Sequence, residues 1–147
     1  MPNKPRKLGL VDGLFQLSFL LHSTLARIAA SHGLSIIQVR LLGIVRDREP
    51  GMFELARHLE LEKSSLSGLV DRAETRGLVK RIPSPDDRRA ATIRVTARGR
   101  KLSRLIEDEV NAEVARLVAV ATRSERARLT SIVGRVVTHA IDAASRG

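Results

Sequence analysis

Between Leu55 and Gly99 the chain reads without interruption as helix, tight turn, second helix and two short strands, an order that leaves few folds open to it. From Leu55 to Arg72, apolar residues fall at helical spacing on both sides of a short break, and the small Ala56 lets the two helices cross closely. In the second helix, from about Glu62 to Arg76, Leu66, Leu69, Val70 and Ala73 form one apolar stripe, while Lys63, Ser64, Ser65, Ser67, Asp71 and Arg72 fall on the open face. Short hydroxyls at a helix start approach base edges or phosphates without steric cost, and the helix N-terminus itself attracts phosphate. Taken alone, a serine-rich stripe reads equally well as an ordinary solvated face, so the residues that follow carry the decision.

Gly77 stands just past the last periodic residue, the usual helix stop. Leu78 to Ile82 and Ala90 to Val95 then read as strands, the second turning Ile93 and Val95 inward and Thr92 and Arg94 outward. Between them lies Pro83-Ser84-Pro85-Asp86-Asp87-Arg88-Arg89, a turn-forming loop with two acids and two arginines. By itself it reads as a solvated turn in which Asp86 or Asp87 pairs with Arg88 or Arg89. One hairpin after such a helix, it reads instead as a tip that lays a guanidinium in a narrow minor groove. The expected fold is therefore mainly α with a small β-wing, a winged helix-turn-helix. The DNA-facing set is Lys63, Ser64, Ser65, Ser67, Gly68, Asp71, Arg72, Arg76, Asp87, Arg88 and Arg89.

The flanking segments are helical. Leu10, Leu14, Leu17, Leu21, Leu25 and Ile28 predict a first helix over Leu10 to Ser31, closed by His32-Gly33. Ser35 and Gln38 form a capping box, with Leu34 and Val39 as its staple, for a second helix running to about Arg48 and burying Ile37, Leu41, Ile44 and Val45. Pro50-Gly51 breaks the chain. Thr96 caps a long helix to about Ala121, which buries Leu102, Leu105, Ile106, Val110, Val114, Leu117 and Val118. Thr122 and Glu125 form a second capping box for a last helix ending near Ala144, with Leu129, Ile132, Val133, Val136, Val137 and Ile141 on one side. These stripes are too broad for a lone helical pair and have no sheet to cover them. The first and the last two helices are therefore expected to interlock with a second copy, the alternative being a monomeric bundle. By this reading residues 1–147 are one domain, with 34–100 binding DNA and 8–33 and 101–146 dimerising.

Charge and composition narrow the partner. The chain carries 26 Lys and Arg against 16 Asp and Glu, a formal charge of +10, and a pI of about 11.4, as expected of a nucleic-acid-binding domain. From Lys63 to Arg100 there are ten basic residues against four acidic ones. Two copies can neutralise on the order of 6 to 10 phosphates, which implies a loss of about 10³ to 10⁵ in affinity between 50 and 200 mM salt. With three Phe and no Tyr or Trp, the chain lacks the stacking platforms that hold single strands, so double-stranded DNA is preferred. No helix joins a basic face to a large apolar one, which disfavours a membrane surface. No run approaches the roughly 20 apolar residues of a membrane span, and Met1 to Lys7 lacks a signal-peptide core, so the expected location is the cytoplasm. That basic, proline-containing start reads as a mobile tail. There is no cysteine nucleophile, Gly-rich phosphate loop, paired carboxylates on a non-DNA face or nucleophile elbow, so no catalytic residue is expected. The histidines lack metal-ligand spacing, so neither metal nor cofactor is expected. The rival reading is a sequence-nonspecific architectural DNA protein.

Several short pieces also occur in order. They are Glu54-Leu55-Ala56, Ser64-Ser65-Leu66-Ser67, Leu69-Val70-Asp71-Arg72, Arg76-Gly77-Leu78-Val79, Asp86-Asp87-Arg88-Arg89-Ala90 and Val95-Thr96-Ala97-Arg98-Gly99-Arg100. In these the chain resembles the MarR (multiple-antibiotic-resistance regulator) family of winged-helix transcription factors. The resemblance implies an obligate homodimer that binds a palindromic operator, usually to repress, and is often released by a small ligand or an oxidant. It also implies a ligand crevice lined by helices one, two and five, where Phe15, Phe19, His22 and Arg40 are the candidates for holding an amphipathic or aromatic acid. The core is the alternative place for Phe15 and Phe19. Without cysteine, a thiol-based oxidant switch is excluded. Two residues depart from the family pattern: Glu62 stands where a better helix cap is usual, and Gly68 replaces a larger residue in mid-helix, at about 1 kcal/mol relative to alanine.

Overall fold

A computed structural model describes residues 7–86 and 90–147. Its elements are α1 (Leu10–Ser31), α2 (Ile36–Val45), α3 (Met52–Leu59), α4 (Lys63–Thr75), β1 (Val79–Ile82), β2 (Thr92–Val95), α5 (Ala97–Leu117) and α6 (Arg123–Ser145), with a 3₁₀ turn at Val118–Val120. The fold is helical with one small antiparallel sheet, a winged helix-turn-helix. Two compact units divide the chain, Met1–Val110 and Asn111–Gly147. Their boundary falls inside α5, whose first half joins the core through Gly99, Ser103 and Ile106.

The core of the first unit takes residues from every element of the winged region. Leu41, Leu42, Leu55, Leu66, Leu69, Val70, Val79 and Ile93 are fully buried, and Ile28, Ala29 and Ile106 close it from α1 and α5. In α2 the fully buried residue that the helical pattern did not single out is Leu42, whereas Ile37 and Ile44 are half-buried. The Ser35 capping box forms as expected, with the Gln38 N–H donating to Ser35 Oγ at 3.3 Å and the Ser35 N–H to Gln38 Oε1 at 2.8 Å. The same helix stops at Val45, short of Arg48. Arg100 donates to the Arg46 carbonyl at 3.1 Å, and the Arg46 guanidinium reaches Glu107 at 2.7 Å, so partners on α5 replace a further helical turn.

The turn between α3 and α4 contains no glycine. Glu60 adopts the left-handed conformation at φ 53°, and the Leu61 N–H returns to the Ala56 carbonyl at 3.0 Å. Gly33 and Gly77, both at positive φ, end α1 and α4 as their positions predict. β1 and β2 pair from Val79 opposite Val95 to Ile82 opposite Thr92. The sheet is tied to the start of α3, because the Ile93 N–H donates to the Pro50 carbonyl at 2.9 Å and Gly51 bridges Thr92. Both strands are shorter than expected at their first residues. Beyond Val79 the ladder continues by one bond only, from the Thr96 N–H at the head of α5 to the Leu78 carbonyl at 3.0 Å.

Large apolar surfaces remain open in one protomer. On α1, Leu10, Leu14, Phe15, Phe19 and Leu20 are each more than half exposed, and only the end of the helix, at Ile28 and Ala29, is buried. In the second unit Thr122 and Glu125 form their capping box, but every residue of α6 is exposed, including Ile132, Val133, Val136 and Ile141. Leu105 and Leu117, expected to be buried, are 46% and 37% exposed. Among the described residues no single helix is long and apolar enough to cross a membrane.

Candidate nucleic-acid interface

The open face of α4 is built by the stripe beneath it. With Leu66, Leu69, Val70 and Ala73 sunk in the core, Lys63, Ser64, Ser65, Asp71 and Arg72 are exposed, and Ser67 and Gly68 are half-buried between them. Glu62 is the N-cap in extended conformation, and its side chain makes no capping hydrogen bond. The first turn therefore presents N–H groups without a Glu62 acceptor, next to one ammonium and two hydroxyls, an arrangement suited to phosphate oxygens.

The acids of this helix do not face outward unpaired. Arg81 of β1 pairs with Asp71 at 2.7 Å and with Glu74 at 3.1 Å, and its own N–H donates to Glu74 Oε2 at 3.0 Å. One wing residue thus ties the helix to the sheet and pairs with both carboxylates, offsetting one of their two charges. Among the described residues Lys63 and Arg72 have no acidic partner. Arg81 was not singled out from the sequence. Its signal was Asp71 and Glu74 at i, i+3 on one face with a cation in the strand that follows. We expect Arg81→Ala to lower duplex-DNA affinity about tenfold, since each copy then turns two uncompensated carboxylates toward phosphate, while an exposed cluster of this kind contributes only about 1 kcal/mol to folding. Adding Asp71→Asn should restore part of the affinity in an anisotropy titration. A double variant no better than the single one would contradict the neutralising role.

Arg76 is placed elsewhere. α4 ends at Thr75, and the Arg76 side chain turns inward to donate to the carbonyls of Gly33 at 2.7 Å and His32 at 3.2 Å. It holds the end of α1 against the end of α4, so its i, i+4 spacing from Arg72 does not place it on the open face. Asp87, Arg88 and Arg89 lie outside the described residues. At the base of the hairpin, Arg94 of β2 forks onto Glu49, with Nη2 to Oε2 at 3.1 Å. The hydrogen bond from Arg94, and secondarily its charge, hold the Glu49 carboxyl below its usual range. A depressed carboxyl stabilises the fold above its ordinary titration range and loses that contribution as pH falls through the lowered value. Accordingly, Glu49→Gln should shrink the gap in melting temperature between pH 6 and pH 3, and an unchanged gap would contradict the pairing.

The wing is joined to α5 by two residues of the Val95-to-Arg100 piece. Thr96 Oγ1 donates to the Gly77 carbonyl at 2.6 Å and accepts from the Gly99 N–H at 3.0 Å. At Gly99 a Cβ would overlap the Leu78 carbonyl oxygen and stand 2.9 Å from its carbon and 3.0 Å from Cγ2 of Val95. The glycine is what lets α5 start against the strand backbone.

The four candidates for a ligand crevice are less concentrated. Phe15 and Phe19 are 61% and 60% exposed on α1, outside the protomer core, and His22 is exposed on the same helix. Arg40 of α2 donates to the His58 carbonyl at the end of α3 at 3.2 Å, a tie to α3 and not to α1. Among the described residues no group of three or more His, Asp or Glu side chains is arranged to hold a metal ion.

Comparison with known proteins agrees with this geometry. The sequence model of the MarR family matches residues 32–90. The chain is 26% identical over 137 residues to the HTH-type transcriptional regulator PecS of Dickeya dadantii, covering 90% of this chain and 82% of that protein. A crystal structure of MarR superposes with a TM-score of 0.82 at 23% identity and covers 99% of each chain. NadR in complex with 4-hydroxyphenylacetate superposes with a TM-score of 0.68 at 24% identity, covering 92% of this chain and 97% of that one.

Proposed function

We propose that this chain is a DNA-binding transcription regulator of the MarR kind, whose sequence model matches residues 32–90, and that it acts as a homodimer recognising a palindromic operator in duplex DNA. The observation that carries the reading is the open face of α4, where Lys63, Ser64, Ser65 and Arg72 stand exposed while Asp71 is taken by Arg81. Such a face enters a major groove and offers cations and short hydroxyls without a competing acid. The exposed apolar residues of α1 and α6 support the second copy. Dimerisation would set the two α4 helices about 34 Å apart, so that they meet successive turns of one side of the duplex. The proposed output is repression, by occupancy of a promoter.

A titration of labelled duplex at several salt concentrations tests the electrostatic part. The affinity should fall by about 10³ to 10⁵ between 50 and 200 mM salt if each dimer covers 6 to 10 phosphates. A slope near zero would remove the phosphate contacts from the account. We further propose an aromatic or amphipathic acid as the releasing ligand, a reading supported by the complex of NadR with 4-hydroxyphenylacetate and by exposed Phe15 and Phe19. Such a ligand lowers operator affinity only by its preference for a dimer shape with misplaced α4 helices. Thermal-shift screening of aromatic acids should therefore find saturable binding and at least tenfold weaker operator binding at saturation. If no acid binds, or if one binds without changing operator affinity, the effector proposal falls and the DNA reading stands.

A further inference from the structure

Gly68 is an odd residue for the middle of a DNA-facing helix, and the structure shows what occupies the space that a side chain there would fill. A Cβ at Gly68 would stand 3.2 Å from a terminal nitrogen of Arg72 and 4.0 Å from its central guanidinium carbon. The arginine one turn later therefore folds back along the helix and brings one end of its guanidinium over the glycine. This agrees with the direction helical side chains take, back toward the N-terminus and over the preceding turn. Arg72 itself is exposed and Gly68 half-buried, so the head lies on the open face, at the shallow notch that the glycine leaves. Asp71, the acid nearest in sequence, is engaged by Arg81 at 2.7 Å. Among the described residues no carboxylate claims the guanidinium.

We infer that Gly68 and Arg72 act as one reading device, in which the glycine notch seats the Arg72 guanidinium so that it recognises a guanine in each half-site. The inference rests on the proposed operator binding and deepens it. A guanidinium presents paired N–H donors that match the O6 and N7 acceptors of guanine in the major groove, a bidentate fit that lysine's single ammonium does not reproduce. Held back over residue 68, the fork reads a base near that level. An Arg72 extended straight from its own position would reach a different step. The missing side chain at 68 is thus a means of positioning: a methyl group there, 3.2 Å from the terminal nitrogen, would push the guanidinium aside.

The test is a double-mutant cycle read on a panel of duplexes, made from the selected operator and its single base-pair variants, at 0.15 M salt. For the unaltered protein, replacing one G·C pair in each half-site should weaken binding tenfold or more. Arg72→Lys, which keeps the charge, should lose that preference and leave the other positions as they were. Gly68→Ala should weaken or shift the same preference, with a melting temperature equal to or above that of the unaltered protein because alanine is the better helix former. In an Arg72→Ala background, Gly68→Ala should add nothing, since its effect passes through the arginine. If Gly68→Ala lowers affinity equally with and without Arg72, the glycine acts on DNA directly and the device is refuted. Refutation also follows if Arg72→Lys leaves the profile intact. If the unaltered protein binds every duplex in the panel alike, operator recognition fails, and the inference fails with it.

Discussion

Replacing Gly99 with alanine should lower the melting temperature by roughly 10 °C and remove DNA binding at 37 °C. The added methyl group has nowhere to go: it would overlap the Leu78 carbonyl oxygen and crowd Val95 Cγ2 at 3.0 Å. Both neighbours belong to the backbone or the buried face of the wing, so relief requires the start of α5 to move away from the sheet. That movement breaks the Thr96 bonds to the Gly77 carbonyl and from the Gly99 N–H. Overpacking against mobile side chains costs about 1–3 kcal/mol. A clash with fixed backbone belongs at the top of that range, and about 3 kcal/mol corresponds to roughly 10 °C for a chain of this size. Circular dichroism melts measure it. A melting temperature within about 2 °C of the unaltered protein would mean that α5 does not start against Leu78 in solution.

The second large effect concerns assembly. Val133→Asp on α6 should convert the dimer to a monomer and weaken operator binding by at least a hundredfold. Val133 is 48% exposed, with Ile132, Val136 and Val137 beside it on the same exposed helix. The substitution therefore does not enter the protomer core. In a symmetric dimer it would bury two uncompensated carboxylates, and an unpaired buried charge costs about 3–5 kcal/mol. A monomer keeps one α4 face but loses the second half-site, and with it most of the affinity. Arg135→Asp, an exposed cation on the same helix, serves as the control and should leave the mass in solution unchanged. If Val133→Asp remains dimeric by sedimentation, α6 is not the dimer face.

Which features the sequence revealed follows from the range of the forces involved. The two capping boxes, the glycine stops at Gly33 and Gly77, and the alternation of Ile93 and Val95 with outward neighbours are set by residues within a few positions of one another, and periodicity exposes them. The exposure of Lys63, Ser64 and Ser65 at the start of α4 was legible for the same reason. The features that escaped depend on partners far along the chain. Arg76 looks like one more cation until the carbonyls of His32 and Gly33 are found beside it. Arg81 reads as a strand residue until Asp71 and Glu74 face it. α2 ends early because Arg100 and Glu107 satisfy Arg46 from outside the helix. The left-handed turn at Glu60 carries no local glycine to announce it, and is held by the buried helices on either side.

The reading of a defined duplex sequence by two copies of this chain is the proposal on which the rest depends. It is tested most directly by selecting random duplexes on the purified protein near 0.15 M salt and recording the mass in solution of the same preparation. The expected result is an enriched palindrome, with half-sites about one helical turn apart and a specific affinity about 10³ to 10⁷ times tighter than for unrelated DNA, bound by a dimer. A mixture that stays unenriched, with binding that disappears as salt rises, would contradict it and leave a basic architectural protein in its place.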